Sequence, residues 1–224
     1  MNSKAGVTSA HYAGEKGSKY FEWQNQFGAR SGKIEARKFA RLMSPEATLL
    51  DFGCGSGHLL NALDAKNKIG LEINPHAVAH AEKLGIKVFS DISEIPDEFV
   101  DIVISNHALE HVPAPLESVQ ELRRVMKKNG KLSICVPIDD WRRAKTFDPQ
   151  DINNHLHTWT PQLLGNLFVE AGFKASNLDI AILRKSWFPG TKYLWKYEKL
   201  FDLLCTIYCL VKRNGYQIVI NATK

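Results

Sequence analysis

No stretch of the 224 residues runs to about 18 uncharged apolar positions, so nothing here has the pattern of a membrane-spanning helix. The first twenty residues, MNSKAGVTSAHYAGEKGSKY, hold no apolar run of the signal-peptide kind, and a cytoplasmic protein is the expectation. Cysteine is scarce. Cys54, Cys135, Cys205 and Cys209 lie far apart or one helical turn apart, without the CxxC pairs of a zinc site, and are expected to be reduced thiols. Charge excess is small as well. The net charge is +5, and residues 184–214 carry all of it, with seven Lys or Arg against two acids, so the remainder sums to zero. A basic face spread over the whole domain is thereby excluded, and no nucleic-acid partner is expected. What the chain does have is a 44% apolar content, enough for the core of one compact domain.

Residues 1–18 are rich in Gly, Ser, Lys and Ala and read as a mobile arm or lid. Residues 20–43 have roughly helical apolar spacing, ended by Ser44 and Pro45, so residues 1–43 form an N-terminal arm and helical cap. Residues 44–224 form the main domain. In it the short β-rich runs ATLLDF, KIGLEI, IKVFS, DIVISN and KLSICVP alternate with helical patterns. Continuous apolar strands separated by helices predict an α/β, doubly wound, mostly parallel sheet covered on both faces. A further helix starts at Thr160 and Pro161, and two more β-like stretches, SNLDIAIL and YQIVINA, flank the basic segment.

The turn after the first strand, LLDFGCGSG, places Gly53, Gly55 and Gly57 at alternate positions, letting the backbone turn sharply beside a ligand at a helix N-terminus. A dinucleotide fingerprint would need glycine at 58, where His58 stands, and no GKS or GKT phosphate element is present. Asp51 suits a cationic amino group. Glu72, closing the second strand, can accept both hydroxyls of a ribose.

Together LLDFGCGSG, LEINP, FSDI, DIVISNHALEHV and LRRVMKKNGKLSICVP resemble the successive motifs of class I, Rossmann-like S-adenosylmethionine-dependent methyltransferases of the small-molecule type, over residues 47–137. The resemblance implies a seven-stranded sheet ending in an antiparallel hairpin, with S-adenosylmethionine as cofactor. Gly53, Gly55 and Gly57 would pass beside its methionine part, Glu72 would hold the ribose, Asp91 with Ile92 would meet the adenine edge, and Cys54 and Ile73 would be further cofactor-binding positions. Asn106 and His107 would run under the methionine end and face the acceptor. The family's paired glycines in the fifth-strand turn are Asn129 and Gly130 here, a small departure, since asparagine tolerates left-handed backbone.

Methyl transfer from a sulfonium is an in-line displacement that chiefly needs alignment and exclusion of water. An oxygen acceptor must also lose a proton, and His107, His111, His155 and His157 all fall in loops at the carboxyl ends of strands, where ligands of such sheets lie. His155 is the first choice for the base. A structural hydrogen-bonding role stays open for each. No His, Cys and carboxylate spacing suggests a metal site. Trp141, Arg142 and Arg143 suit an anionic acceptor group or a solvated loop, and Trp159 suits burial in the core.

In residues 184–214, Tyr197, Leu200, Phe201, Leu204, Ile207, Tyr208 and Val211 fall on one helical face, with Lys192, Lys196, Lys199 and Asp202 largely opposite. This inserted amphipathic helix reads either as packed over the active site or against a second copy of the chain, or as a peripheral membrane contact. The expected function is methyl transfer to a small-molecule or glycan acceptor at oxygen. The alternatives are a non-catalytic S-adenosylmethionine-binding module, or a methyltransferase acting on RNA, protein or a lipid-linked acceptor.

Overall fold

The computed structural model describes residues 10–12, 14–25, 28–139, 145–184, 194, 197–212 and 215–224. Helices α1 (Gly14–Asn25) and α2 (Gly28–Ala36) precede β1 (Thr48–Phe52), α3 (His58–Asn61), β2 (Asn67–Leu71), α4 (Pro75–Lys83) and β3 (Lys87–Phe89). There follow β4 (Val100–Asn106), α5 (Pro115–Val125), β5 (Met126–Pro137), α6 (Pro161–Glu170), β6 (Leu178–Arg184), α7 (Glu198–Lys212) and β7 (Tyr216–Thr223).

All seven strands join one sheet in the order β3-β2-β1-β4-β5-β7-β6. The first five pair in parallel, and β7 runs antiparallel to both β5 and β6. This is the expected doubly wound α/β architecture with its terminal hairpin. Strand residues alternate between two apolar layers. Leu50, Val103, Leu132 and Ile134 pack with Val119 and Leu122 of α5 and Leu164 and Phe168 of α6. Leu49, Ile102, Ile104 and Cys135 pack on the other face with Ala36 of α2, Leu60 of α3 and Ala81 of α4. Phe168 is fully buried, and truncation to Ala there would cost about 3–5 kcal/mol.

Local chemistry sets the helix starts. Asn74 and Thr160 cap α4 and α6 by accepting from the backbone N–H groups of His76 and Leu163, and a proline occupies the first turn of each helix. Asn129 has φ 62°, the left-handed backbone that asparagine tolerates.

Three expectations change in whole or in part. The single helix over residues 20–43 is instead α1, α2 and a 3-10 turn at Ala40–Leu42, with Gly28 at φ 47° beginning α2. Residues 14–18, read as part of a mobile arm or a lid, are the start of α1, and Tyr12 is buried, which leaves the lid alternative. The close fit explains this: a Cβ on Gly17 would stand 2.2 Å from the Tyr12 carbonyl oxygen. Helix α7 also presents a different face. Phe201, Cys205 and Cys209 are buried, whereas Tyr197, Leu200, Ile207 and Val211 are exposed. Its apolar residues spread over more than one face, so the small thiols at i and i+4 turn inward and a second apolar stripe is left outward. All four cysteines are buried and outside any disulfide.

Candidate active site

The strand order reverses between β1 and β4, the place where ligands of open α/β sheets settle. A cavity of about 350 Å³ lies there. Its floor comes from the ends of β1, β2 and β4, and its cover from Tyr12, Tyr20 and Gln24 of the N-terminal region.

The turn after β1 owes its shape to close approach. Gly53 has φ 73°, its N–H donates to the Leu71 carbonyl, and a Cβ there would meet the Ala108 Cβ at 2.4 Å. Gly55 has φ 52° and donates its N–H to Oε2 of Glu72 at 2.8 Å. The other Glu72 oxygen accepts from the backbone N–H groups of Ile73 and Asn74, both at 2.8 Å. Burial raises the Glu72 pKa despite these three donors. The Asn74 side chain in turn donates to the Gly17 carbonyl at 2.8 Å, tying the cap to the Glu72 turn.

Of the residues expected to bind the cofactor, Gly53, Gly55, Glu72, Ile73, Asp91, Ile92 and His107 line the cavity. Asp91 also caps a 3-10 turn, accepting from the Ser93 N–H at 2.9 Å. Asp51, Cys54, Gly57 and Asn106 stand behind the wall. Gly57, at φ 78°, begins α3 against Ala81 and Ile86, where a Cβ would come within 3.0 Å of both side chains. The Cys54 thiol fills the space above Gly70. Oδ1 of Asn106 accepts at 2.5 Å from the Lys38 ammonium, and that ammonium also contacts Glu35 and Gln217. Asp51 is 1% exposed, and neither carboxylate oxygen has a hydrogen-bond partner among the described residues. Burial, reinforced by the Glu72 charge, pushes its pKa well above the carboxylate range. A buried, unpartnered carboxylate beside Glu72 and a glycine turn that leaves no room for side chains form an acceptor set suited to a cationic group and to hydroxyls.

The other end of the cavity is built around Glu110, on a 3-10 turn spanning Leu109–His111. Glu110 is wholly buried and its pKa is pushed up to about 7 by that burial. Its Oε1 stands 3.7 Å from both His107 Nδ1 and His111 Nε2. Its backbone carbonyl accepts from the N–H groups of Leu156 and His157, which brings the NNHLHTW loop against the turn. His155 therefore lies beside His111, ring centroids 4.9 Å apart, with Nδ1 2.7 Å from Asp139 Oδ2. Burial alone would lower the His155 pKa, but the Asp139 hydrogen bond and charge, with Glu110 and Asp151, raise it. His111 is lowered to about 4 by burial and the His155 charge.

Three of the four candidate histidines thus converge. His157 does not join them: its Nε2 donates to the Val112 carbonyl at 3.0 Å, a structural role. His107 is at φ 59°, with its ring Nε2 3.0 Å from Gln217 Oε1. His155 is not in the cavity wall, whereas His111 is. Trp159 is buried, as expected. Trp141, Arg142 and Arg143 lie outside the described residues, as do Lys192 and Lys196. Sequence reasoning missed Tyr12, Tyr20, Gln24, Glu110 and Asp139. Only Glu110, inside the motif NHALEHV, carried a local signal.

Residues 24–178 match the family model described as a methyltransferase domain. The chain belongs to that family. A probable S-adenosylmethionine-dependent methyltransferase of Mycobacterium tuberculosis is 29% identical over 154 residues, 62% of this chain and 53% of that protein. A tRNA U34 carboxymethyltransferase of Hydrogenovibrio crunogenus is 27% identical over 146 residues, 56% of this chain and 44% of that one. The chain spans about half the length of the curated relatives it matches. A solved S-adenosylmethionine-dependent methyltransferase of Archaeoglobus fulgidus shares the fold at a TM-score of 0.65 and 20% identity, covering 92% of this chain and 99% of that one. Among the described residues, no helix is long and apolar enough to cross a membrane.

Proposed function

We propose that this chain transfers a methyl group from S-adenosylmethionine to an oxygen of a small-molecule or glycan acceptor. The observation that carries this reading is one cavity with two chemically different ends. Carboxylates and a side-chain-free turn stand at one, and the His107, Glu110, His111 and His155 cluster stands at the other. When bound, the cofactor supplies a methyl group on a positively charged sulfur, which an in-line nucleophile takes. Glu72 would accept the ribose hydroxyls on the lone pairs its backbone donors leave, and Asp51 would face the cationic amino group. Ile73, Asp91 and Ile92 would border the adenine, while Tyr12, Tyr20 and Gln24 shield the cavity from water. His111, lowered well below neutrality, stays unprotonated at pH 7 and leads from the cavity wall to Glu110, so the acceptor proton leaves toward this cluster.

The cavity is near the lower end of small-molecule sites, roughly 300–1,000 Å³, so the reactive end of the acceptor must share it with the cofactor. An RNA or protein acceptor would insert one group and keep the rest outside. One observation favours a lipid-linked acceptor as a second reading. Leu200, Leu203, Ile207, Leu210 and Val211 leave an exposed apolar stripe on α7, which would meet a membrane surface or a second copy of the chain.

Calorimetry tests the cofactor reading first, with one S-adenosylmethionine site per chain expected and no binding sinking it. Turnover against hydroxyl, amine, RNA and vesicle-bound acceptors follows, with methylation of a hydroxyl expected. Tight binding without turnover on any of them would instead indicate a non-catalytic module. An unchanged rate in His155→Ala would remove that residue from the proton path.

A further inference from the structure

Glu110 is a wholly buried carboxylate whose two oxygens accept no hydrogen bond among the described residues, an arrangement that is costly unless something else satisfies it. One donor atom each from Glu110, His111 and His155 lies within 4.8 Å of the others. Both imidazoles are held from behind. His155 Nδ1 is 2.7 Å from Asp139 Oδ2. His111 Nδ1 is 2.7 Å from the Tyr12 hydroxyl, which itself donates to the Asn153 carbonyl at 2.9 Å. Because that hydroxyl proton is used, its oxygen accepts Nδ1–H of His111, and the lone pair of His111 resides on Nε2, the atom facing Glu110. The Asn154 backbone also bears on this ring. Histidines that bind metal are oriented in this way, by a carboxylate or other acceptor on the far nitrogen.

We infer that Glu110, His111 and His155 form a binding site for a divalent transition-metal ion of the zinc class. Two imidazole nitrogens and one carboxylate oxygen suit such an ion, whereas magnesium and calcium favour oxygen-only shells. Donor atoms on a tetrahedral ion with bonds of about 2.0–2.1 Å stand roughly 3.4 Å apart. The 3.7 Å between Glu110 Oε1 and His111 Nε2 is within a few tenths of an ångström of this. Three protein ligands leave a fourth position open, and His111, one of the three, is in the cavity wall, so the site borders the cavity. There the ion would bind the acceptor oxygen and make its proton easier to lose, a clause that rests on the methyl-transfer reading. Binding of the ion does not.

The test uses the chain without a polyhistidine tag, stripped with a chelator and titrated with Co²⁺ and Zn²⁺. One ion per chain is expected, with the visible absorption of four- or five-coordinate cobalt. His155→Ala and Glu110→Gln should each weaken binding at least 100-fold while S-adenosylmethionine affinity, by calorimetry, stays within about threefold. Absence of stoichiometric binding, or binding unchanged in both variants, overturns the site. His155 is on a partly exposed loop, so its variant still decides if Glu110→Gln does not fold. Ion binding with turnover indifferent to the chelator overturns the acceptor clause alone. Ion binding without cofactor binding overturns the methyl-transfer reading and leaves the site standing.

Discussion

The two ends of the cavity are built on different plans. At the cofactor end, Gly53, Gly55, Glu72, Ile73, Asp91 and Ile92 come from consecutive strand ends, and backbone N–H groups fix the geometry. At the acceptor end, Tyr12, Glu110, Asp139 and His155 come from four separate segments, and side chains fix each other. A site shaped by backbone tolerates little change at its turns, whereas a site shaped by side chains can be altered one group at a time.

The largest expected effect is at Gly53, where a Cβ would collide with Ala108 at 2.4 Å on a φ of 73°. Gly53→Ala should weaken S-adenosylmethionine binding by 100-fold or more in calorimetry, and Ala108→Gly in the same chain should recover part of the loss. Full recovery of affinity without the second change would break the backbone-shaped account.

Asp51→Asn comes next, with opposite effects on binding and stability. Cofactor affinity should fall about 10- to 100-fold, because the anionic partner of its cationic amino group is lost. The cofactor-free chain should melt higher, by roughly 2–4 °C for each kcal/mol of relieved charge burial. The pH dependence has a definite sign. The folded chain retains on Asp51 a proton that the unfolded chain releases above about 3.8, so this residue's contribution makes stability fall as pH rises from there toward the raised folded value. Thermal melts of the asparagine variant should lack that part of the slope.

Tyr12→Phe removes the hydroxyl that orients His111 without emptying the space. A fall in kcat/KM of about 5- to 10-fold with cofactor affinity unchanged would mark the acceptor end as separable; an equal loss in cofactor affinity would show the two ends to be one unit. The smallest effect belongs to the exposed Arg37 and Asp202 pair, 3.3 Å apart, between residues just after α2 and within α7. Arg37→Ala should shift stability by less than about 1 kcal/mol in denaturant titration.

This contrast also explains what could be read in advance. The alternation of apolar strands and capped helices, the glycine turn, Glu72 and Asp91 are local patterns of sequence, and they gave the sheet and the cofactor end. The convergence of His111 with His155 depends on the Glu110 carbonyl accepting two backbone N–H groups 46 and 47 residues further on, which no spacing in the chain records. Tyr12 sits in a Gly- and Lys-rich stretch that looks solvated until Gly17 is seen to let α1 close against it. On α7 the apolar residues occupy too much of the circumference for periodicity to choose a face, and Cys205 and Cys209 were the inward ones.

Asn74 gives the cap over the cavity a mechanical meaning. Its side chain grips the Gly17 carbonyl while its own N–H, and that of Ile73, hold Glu72. Lifting α1 breaks the hydrogen bond to Gly17, together with the Asn25 contact to His58 and the packing of Phe21 on His76 and His80, and leaves Glu72 with its donors. The door and the hinge plate are thus fastened by separate groups of one residue, its side chain and its backbone, so on the proposed cofactor assignment the cap would open without disturbing the Glu72 turn.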